Sequence, residues 1–136
     1  GSYEFSKHFY PTIHDLREKT DSGRTSEEFL CAQAIDAHPK VKLWVRNIER
    51  QPNYSFWLPT SSDYFYPDFV AELHDGRVLA VEYKGKPYET NDDSREKRQV
   101  GEQWEKSSGG RCLFLFAVKQ DEDGRSVQQQ LADKLG

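Results

Sequence analysis

The sequence has no long apolar run, few cysteines and no excess of positive charge. No stretch approaches the roughly 18 apolar residues of a membrane-spanning helix, so we expect no membrane insertion. The two cysteines, Cys31 and Cys112, are far apart and lack a CxxC partner, which favours buried free thiols over a zinc site and indicates a reducing, cytoplasmic compartment. A net charge of -4 argues against coating nucleic acid through bulk positive charge. Any contact with DNA is therefore expected to be local.

Length and composition favour one folded domain. The 136 residues, 35% hydrophobic and 13% aromatic, suffice for a single core, whereas two domains would each lie near the lower size limit for folding alone. We expect an N-terminal segment (1–24), a folded core (25–119) and a polar C-terminal tail (120–136). The Gly1-Ser2 start is typical of a cleaved tag. The chain is expected to be one module of a larger protein.

Periodicity and chain breakers predict the order of helices and strands. Strands are predicted at 41–48, 54–58, 65–73, 78–84 and 111–119, and helices at 25–37 and 93–106, with a short third helix at 126–135. An Asp-Gly turn at 74–77 should pair its flanking strands antiparallel. We expect a loop at 86–90 and a flexible break at 107–110. The core order αβββαβ predicts an α+β (α/β) fold, a mixed central sheet flanked by helices, whose last strand can run parallel to its neighbour.

Two carboxylates and a lysine are expected to converge at one end of this sheet. Side chains alternate along a strand, so Glu82 and Lys84 share a face. The runs 69–73 and 78–82 on either side of the turn have equal length, which brings Asp68 back beside the strand end that carries Glu82. The plainer alternative is a surface hairpin in which Lys84 forms a salt bridge with Glu82 or Asp68.

These residue types suit metal-assisted hydrolysis. Asp68 and Glu82 offer hard oxygen ligands for Mg²⁺, and the backbone carbonyl of Tyr83 is a possible third ligand, with water completing the shell. Such a cation would polarise a phosphodiester oxygen and activate water. Lys84 would orient that water or stabilise the pentacovalent phosphate.

The spacing of these residues, Pro67-Asp68, thirteen residues, then Glu82-Tyr83-Lys84, resembles the active-site signature of the PD-(D/E)XK nuclease superfamily. The resemblance implies a restriction-endonuclease-like fold with Asp68, Glu82 and Lys84 as catalytic residues. It also implies Mg²⁺ as cofactor, with Mn²⁺ able to substitute.

Several segments are similar, more specifically, to the C-terminal endonuclease domain of type III restriction enzyme Res subunits and related helicase-nuclease proteins. They lie, in that family's order, at 27–47, 56–60, 65–73, 78–85 and 93–104. This resemblance implies a DNA endonuclease module, a superfamily 2 helicase/ATPase region preceding it in the parent chain, and a separate modification subunit that recognises DNA. No Walker-type GxxxxGK[ST] motif occurs in the sequence, so any motor lies outside it. Pairing of two copies for double-strand cleavage is a further expectation.

The first predicted helix carries another acid. Glu28 shares a helical face with Cys31 and Ile35, which directs its carboxylate along the buried stripe. The resemblance implies that this upstream glutamate joins the metal shell. The alternative is a capping box, in which Thr25 caps the helix and Glu28 returns a hydrogen bond to the Thr25 amide. Glu27 is a lesser candidate.

The second predicted helix carries Lys97. Val100 and Trp104 lie on the same helical face and would pack on the sheet, leaving Lys97 at the edge where it can reach a scissile phosphate. The resemblance matches Lys97 to a basic position in this helix. The alternative is a lysine whose stem covers Trp104. Gln99 and Gln103, one face over, are weaker candidates for DNA contact.

The expected function is metal-dependent hydrolysis of DNA phosphodiester bonds. One alternative is a catalytically silent, nuclease-like binding or docking module of a larger helicase, although such a module has no need of paired acids beside a lysine. Another is an unrelated binding domain with an aromatic surface drawn from 54–57 and 64–66, although those residues suit strand core and hairpin packing better. The four histidines show no ligand spacing.

Overall fold

The computed structural model describes residues 4–10, 13, 16–24, 26–47, 56–60, 64–85 and 92–136. Its helices are α1 (Glu27–Ala37), α2 (Asp92–Ser107) and α3 (Val127–Leu135). Its strands are β1 (Val41–Arg46), β2 (Leu58–Pro59), β3 (Tyr64–Phe65), β4 (Phe69–Leu73), β5 (Val78–Gly85) and β6 (Cys112–Val118). Within these ranges, no helix combines the length and apolar character needed to cross a membrane.

Four strands form a mixed sheet in the order β1-β4-β5-β6. The β1–β4 and β4–β5 pairs are antiparallel, and β5–β6 is parallel. A parallel pair needs a crossover connection, and α2 lies in the segment that connects β5 to β6. The predicted α+β fold, with a mixed sheet and flanking helices, is therefore confirmed.

The predicted hairpin between β4 and β5 is also confirmed. The Leu73 amide donates to the Arg77 carbonyl at 2.9 Å, and Gly76 has a φ of 90°, a conformation that favours glycine. The strands pair Phe69 with Val81 and Glu72 with Val78. This register places residue 68 opposite residue 82, at the end of the hairpin away from the turn.

One predicted strand, 65–73, is in fact two. Its first part, β3, pairs with β2 in a separate two-stranded sheet, and only β4 joins the main sheet. Between them lies Pro67, which has no amide hydrogen for a strand ladder. Its carbonyl accepts instead from the Asn47 side chain at 2.9 Å, and the same amide group donates to the Phe56 carbonyl at 2.7 Å. Asn47 therefore joins the segment before β4 to the segment before β2.

Other boundaries differ less. Within the described residues, the strand predicted at 54–58 is reduced to β2, and Pro59 lies inside that strand rather than after it. The end of the strand predicted at 41–48 and the loop predicted at 86–90 lie outside the described residues. The helices predicted at 93–106 and 126–135 correspond to α2 and α3 within one residue at each end.

The core lies on both faces of the sheet. One cluster joins the sheet to α1 and α3 through Trp44, Leu79, Val81, Leu131 and Leu135, among others. The other joins the opposite face to α2 and β2–β3 through Leu58, Phe65, Ala80, Phe114, Val100 and Trp104. Gly101 lies against Phe114, whose ring a Cβ at this position would overlap. The alternation predicted for β5 is thus observed, with Leu79 and Val81 on one face and Ala80 on the other.

Both ends of the chain pack on this core. The buried Asp36 carboxylate accepts from the Ser6 amide at 3.0 Å, the Lys7 amide at 2.7 Å and the Trp44 indole at 2.9 Å. In α3, the Gln130 side chain donates to the Val118 carbonyl at 2.8 Å and accepts from its amide at 3.1 Å. The first and last segments are therefore held to the sheet by polar contacts as well as apolar ones.

The thiols are free, as expected. Cys31 is buried and Cys112 is half-buried. Burial raises the pKa of the Cys31 thiol, and the nearby acids add to the shift. Cys31 is accordingly an apolar core residue and a poor nucleophile.

Candidate active site

The candidate active site lies where β4 begins and β5 approaches its end. The Asp68 amide donates to Oε1 of Glu82 at 3.1 Å, and the Tyr83 amide donates to Oδ2 of Asp68 at 2.8 Å. Each carboxylate is thus held by a backbone group of the neighbouring strand. The two acids lie together, as the equal strand lengths about the turn predicted.

Burial dominates the electrostatics of this pair. The Glu82 side chain is 10% exposed. Burial, and then the charge and hydrogen bonding of Asp68, raise the pKa of Glu82 to about 9, although Lys97 opposes the shift. Glu82 therefore keeps its proton at neutral pH unless additional positive charge enters the site.

Arg46, which the sequence analysis missed, joins two of the acids. Its Nη1 donates to Oδ1 of Asp68 at 3.0 Å, and its Nη2 donates to Oε2 of Glu28 at 3.0 Å. The guanidinium lies 5.2 Å from the centre of the Phe69 ring, and the side chain is only 11% exposed. A signal was present in the sequence, because Arg46 follows Trp44 by two residues on a strand and so shares its buried face.

Glu28 reaches the site through Arg46. The capping box predicted with Thr25, a residue outside the described ranges, is wrong, because α1 is capped by Ser26, whose hydroxyl accepts from the Phe29 amide. Glu28 is then the second helical residue and not the third. Its pKa is raised by burial and next by the charge of Asp68, with Arg46 opposing both. Glu28 is an electrostatic neighbour of Asp68, and Arg46 links the two.

Lys97 faces the other acid. Its Nζ lies 3.6 Å from Oε2 of Glu82 and 5.6 Å from the centre of the Phe65 ring. Trp104 itself packs against Phe56 with ring centres 5.4 Å apart. The Lys97 side chain is 30% exposed. Lys97 therefore makes a charge on Glu82 less unfavourable, without cancelling the rise in the pKa of Glu82, and keeps access to solvent.

Lys84 lines a groove beside the candidate site. The groove has a volume of about 680 Å³, and its lining also includes Tyr83, Glu28, Arg24 and Lys119. Within the described residues, Asp68 and Glu82 form their ion pairs with Arg46 and Lys97, so the alternative of a surface hairpin with a salt bridge from Lys84 to either acid is not observed there. The β5–β6 register is irregular between Tyr83 and Gly85. Lys84 and Glu28 therefore line the same groove.

The remaining candidates are peripheral. Glu27 forms an exposed ion pair with Lys119 at 3.8 Å. Burial and then the Glu27 charge raise the pKa of the Tyr83 hydroxyl. Gln99 is exposed, and the Gln103 side chain donates to the Ser107 hydroxyl at 2.8 Å. None of these side chains has a described contact with Asp68 or Glu82.

The donors present fit a two-carboxylate cation site. Across the described ranges, no group of three or more His, Cys, Asp or Glu side chains is arranged to hold a metal ion, and Arg46 bridges Glu28 to Asp68. Mg²⁺, however, needs only one or two carboxylates and takes water for its other positions. Two adjacent carboxyls, one with a strongly raised pKa, are a donor set that a divalent cation would stabilise.

Comparisons of this chain with protein-family models, with curated proteins and with solved structures find no match.

Proposed function

We propose that this chain is a metal-dependent DNA endonuclease domain that hydrolyses phosphodiester bonds. The observation that carries the proposal is the interlocked pair of Asp68 and Glu82, held together by the backbone amides of residues 68 and 83. A pair of buried carboxyls is costly for stability unless it has a ligand or a partner. If the pair binds a cation that also binds the substrate, the destabilising burial of the two carboxyls serves the function of the site.

Asp68 and Glu82 would hold Mg²⁺, or Mn²⁺ in its place, with the main-chain carbonyl of Tyr83 as a further ligand. When bound, the cation polarises a phosphodiester oxygen and makes water a better nucleophile at neutral pH. Glu82 releases its proton when it becomes a ligand, because only the carboxylate form coordinates. The amides that donate to the two acids keep both carboxyl groups in place through this change.

Three cationic side chains in and near the site, Arg46, Lys97 and Lys84, would have different electrostatic roles. Arg46 stabilises the charge on Asp68 and is too buried to leave it easily. Lys97 is closer to solvent and lies beside Glu82, so it can turn to a phosphate once the Glu82 charge has another partner. Lys84 opens into the groove, where an ammonium group would stabilise charge that develops on a substrate phosphate.

The larger setting follows from the sequence resemblance. A cytoplasmic helicase/ATPase region in the parent chain would deliver the domain to DNA, and a separate modification subunit would supply sequence recognition. Such delivery raises the effective concentration of the substrate and is compatible with a net charge of -4. Two copies would pair to cut both strands.

Plasmid cleavage tests the proposal. With Mg²⁺ or Mn²⁺ the chain should nick or cut supercoiled plasmid, and Asp68→Asn or Glu82→Gln should lower the rate by about 100-fold or more, as expected for loss of a group that stabilises the transition state. Asp121→Asn is the matched control, because Asp121 also accepts from an arginine but lies outside the site. The same variants in the parent protein cover the case of weak DNA binding by the domain. Undiminished cleavage by an Asp68→Asn parent would refute the assignment.

One observation favours a second function, a silent docking module. Each acid already has an intramolecular cation, Arg46 for Asp68 and Lys97 for Glu82, as a purely structural ion-pair network would have. NMR distinguishes the two functions, because the amides of Asp68 and Tyr83 donate directly to the two carboxyls. A shift of these signals in millimolar Mg²⁺ supports the nuclease, with the Val118 amide, which donates to Gln130, as a remote control. Unchanged signals support the docking module.

A further inference from the structure

A groove beside the candidate site is built partly by the N-terminal segment. Its lining includes Arg17, Arg24, Lys84, Lys119, Glu27 and Glu28, which we call the basic groove. The segment 17–24 is held to the start of α1, since the Ser26 hydroxyl donates to the Arg17 carbonyl and the Ser26 amide donates to the Glu18 carbonyl at 2.8 Å. The groove wall is thus attached to the helix that carries Glu28.

The charges of the basic groove favour an anionic ligand. Four cations line it against two acids. Lys119 forms only a weak ion pair, because its partner Glu27 is 3.8 Å away and the lysine side chain is 75% exposed. Arg24 is exposed and forms no ion pair with an acid in the described part of the chain. Both cations are therefore available to an incoming ligand, unlike Arg46 in the buried site.

We propose that the basic groove binds the sugar-phosphate backbone of a single nucleic-acid strand, with Arg24 and Lys119 contacting phosphates that neighbour the one near Lys84. This inference rests on the proposed function and deepens it by naming the surface and the strand state of the substrate. A cavity of about 680 Å³ is within the range of ligand pockets, about 300–1,000 Å³. A groove of this size accommodates the backbone of a short length of one strand, so a second strand would have to lie outside it. Lysine and arginine contacts to phosphate give affinity without sequence preference.

Lys84 and Glu28 relate the basic groove to the candidate active site. Both belong to the groove lining, and Glu28 also contacts the guanidinium that holds Asp68. Glu28 therefore connects the groove to Asp68 through Arg46, although neither Asp68 nor Glu82 belongs to the groove lining. Segment 17–24, outside the nuclease signature itself, becomes part of the substrate-binding surface.

Binding measured without cleavage tests this. Anisotropy of a short labelled single strand and of its duplex would be recorded in EDTA over a range of salt concentrations for the complete chain. Arg24→Gln and Lys119→Gln should each weaken single-strand binding about threefold to tenfold and reduce the salt slope by about 0.7, the value per phosphate contact on a single strand. The matched control is Arg111→Gln, an equal loss of charge at an exposed residue that precedes β6 at the turn end of the sheet.

The outcomes distinguish failure of the groove proposal from failure of the proposed nuclease function. The inference is overturned if the groove variants behave like Arg111→Gln, if they affect the duplex alone, or if the unaltered chain binds neither probe. Normal binding by the groove variants with loss of cleavage in Asp68→Asn would overturn the groove and leave the nuclease intact. Groove-dependent binding with full cleavage by Asp68→Asn would support the groove and refute the proposed function. A Lys119→Arg variant that binds like the unaltered chain would show that the positive charge carries the effect, and an unchanged Tm of the Gln variants would exclude misfolding as the cause.

Discussion

Two clusters in this molecule each surround one arginine with acids, and they differ in burial. They are the Arg46 cluster of Arg46, Glu28 and Asp68, and the Arg125 cluster of Arg125, Asp121, Asp123 and Asp133. The Arg46 side chain is 11% exposed and the Arg125 side chain 44%. Their distances are similar, 3.0 Å for both pairs of the first and 2.7 to 3.4 Å in the second.

The pKa values of the acids shift in opposite directions in the two clusters. Beside Arg46, burial raises the pKa of Glu28 and, across the Asp68 contact, of Glu82. In the Arg125 cluster, desolvation also acts to raise the pKa of Asp121, but hydrogen bonds from the Arg125 backbone and side chain outweigh it and lower that pKa. The number of acids around an arginine therefore says little about function, whereas the buried Glu82 next to Asp68 identifies the cluster where a charged ligand would have a large effect.

Removing the arginine should distinguish the clusters most strongly. Arg46→Met keeps apolar contact with Phe69 but leaves two acids without their cation, and loss of one partner from a buried pair costs about 3–5 kcal/mol. The free energy of unfolding in urea would measure this. Arg125→Met is the control and should change it little, because exposed pairs are weak. Equal losses would contradict the comparison, and Asp68→Asn added to Arg46→Met should recover part of the stability.

Glu82 and Asp121 should make the free energy of unfolding depend on pH in opposite directions. Glu82 has a raised pKa, so between its ordinary value near 4.5 and about 9 it is ionised when unfolded and protonated when folded. The free energy of unfolding should therefore fall as pH rises through this window, and Glu82→Gln should flatten the fall. Asp121, with a lowered pKa, stabilises above its ordinary range and loses that contribution in acid. Urea titrations from pH 3 to pH 9.5 would test both expectations. If the free energy of unfolding of Glu82→Gln falls with rising pH as steeply as that of the unaltered chain, the fall does not come from a buried, protonated Glu82.

Magnesium should stabilise one cluster only. If Asp68 and Glu82 hold the cation, Mg²⁺ at ten times its dissociation constant adds about 1.4 kcal/mol to the free energy of unfolding, visible as a higher Tm. The gain should be absent in Asp68→Asn and present in Asp121→Asn. It should also grow as pH rises toward 9, because Glu82 must release its proton. A Tm that rises equally in all three proteins would indicate nonspecific cation binding.

Salt should produce the smallest difference. Raising ionic strength from about 0.1 M to about 1 M shortens the Debye length from about 10 Å to about 3 Å, which screens exposed charges far more than buried ones. The stability difference between the unaltered chain and Arg125→Met should shrink toward zero, while the corresponding difference for Arg46→Met should persist. A large salt effect on Arg46→Met would mean that water reaches the Arg46 cluster.

Parts of the fold and site follow from sequence because their determinants are local. The Asp-Gly turn and the matched strand lengths suffice to put Asp68 beside Glu82. The split between β3 and β4 does not follow in this way, because it depends on Asn47, twenty residues before Pro67. Arg46 was missed because a charge on a core-facing strand position becomes informative only once the acids it meets are located. The register irregularity between Tyr83 and Gly85 likewise does not follow from the alternation pattern.

The separation of the site residues along the chain has a consequence for folding kinetics. The contacts Glu28–Arg46, Arg46–Asp68 and Asp68–Glu82 join residues 18, 22 and 14 positions apart, and the β4–β5 hairpin closes across one tight turn. By contrast, the parallel β5–β6 pair joins Val78 to Cys112 and must wait for the intervening α2. Short loops close with less entropy loss and more quickly. We therefore expect the acids and Arg46 to meet in water early in folding and to become desolvated only when the later elements dock. Unfolding should reverse this order, exposing the ion pairs to solvent before they separate.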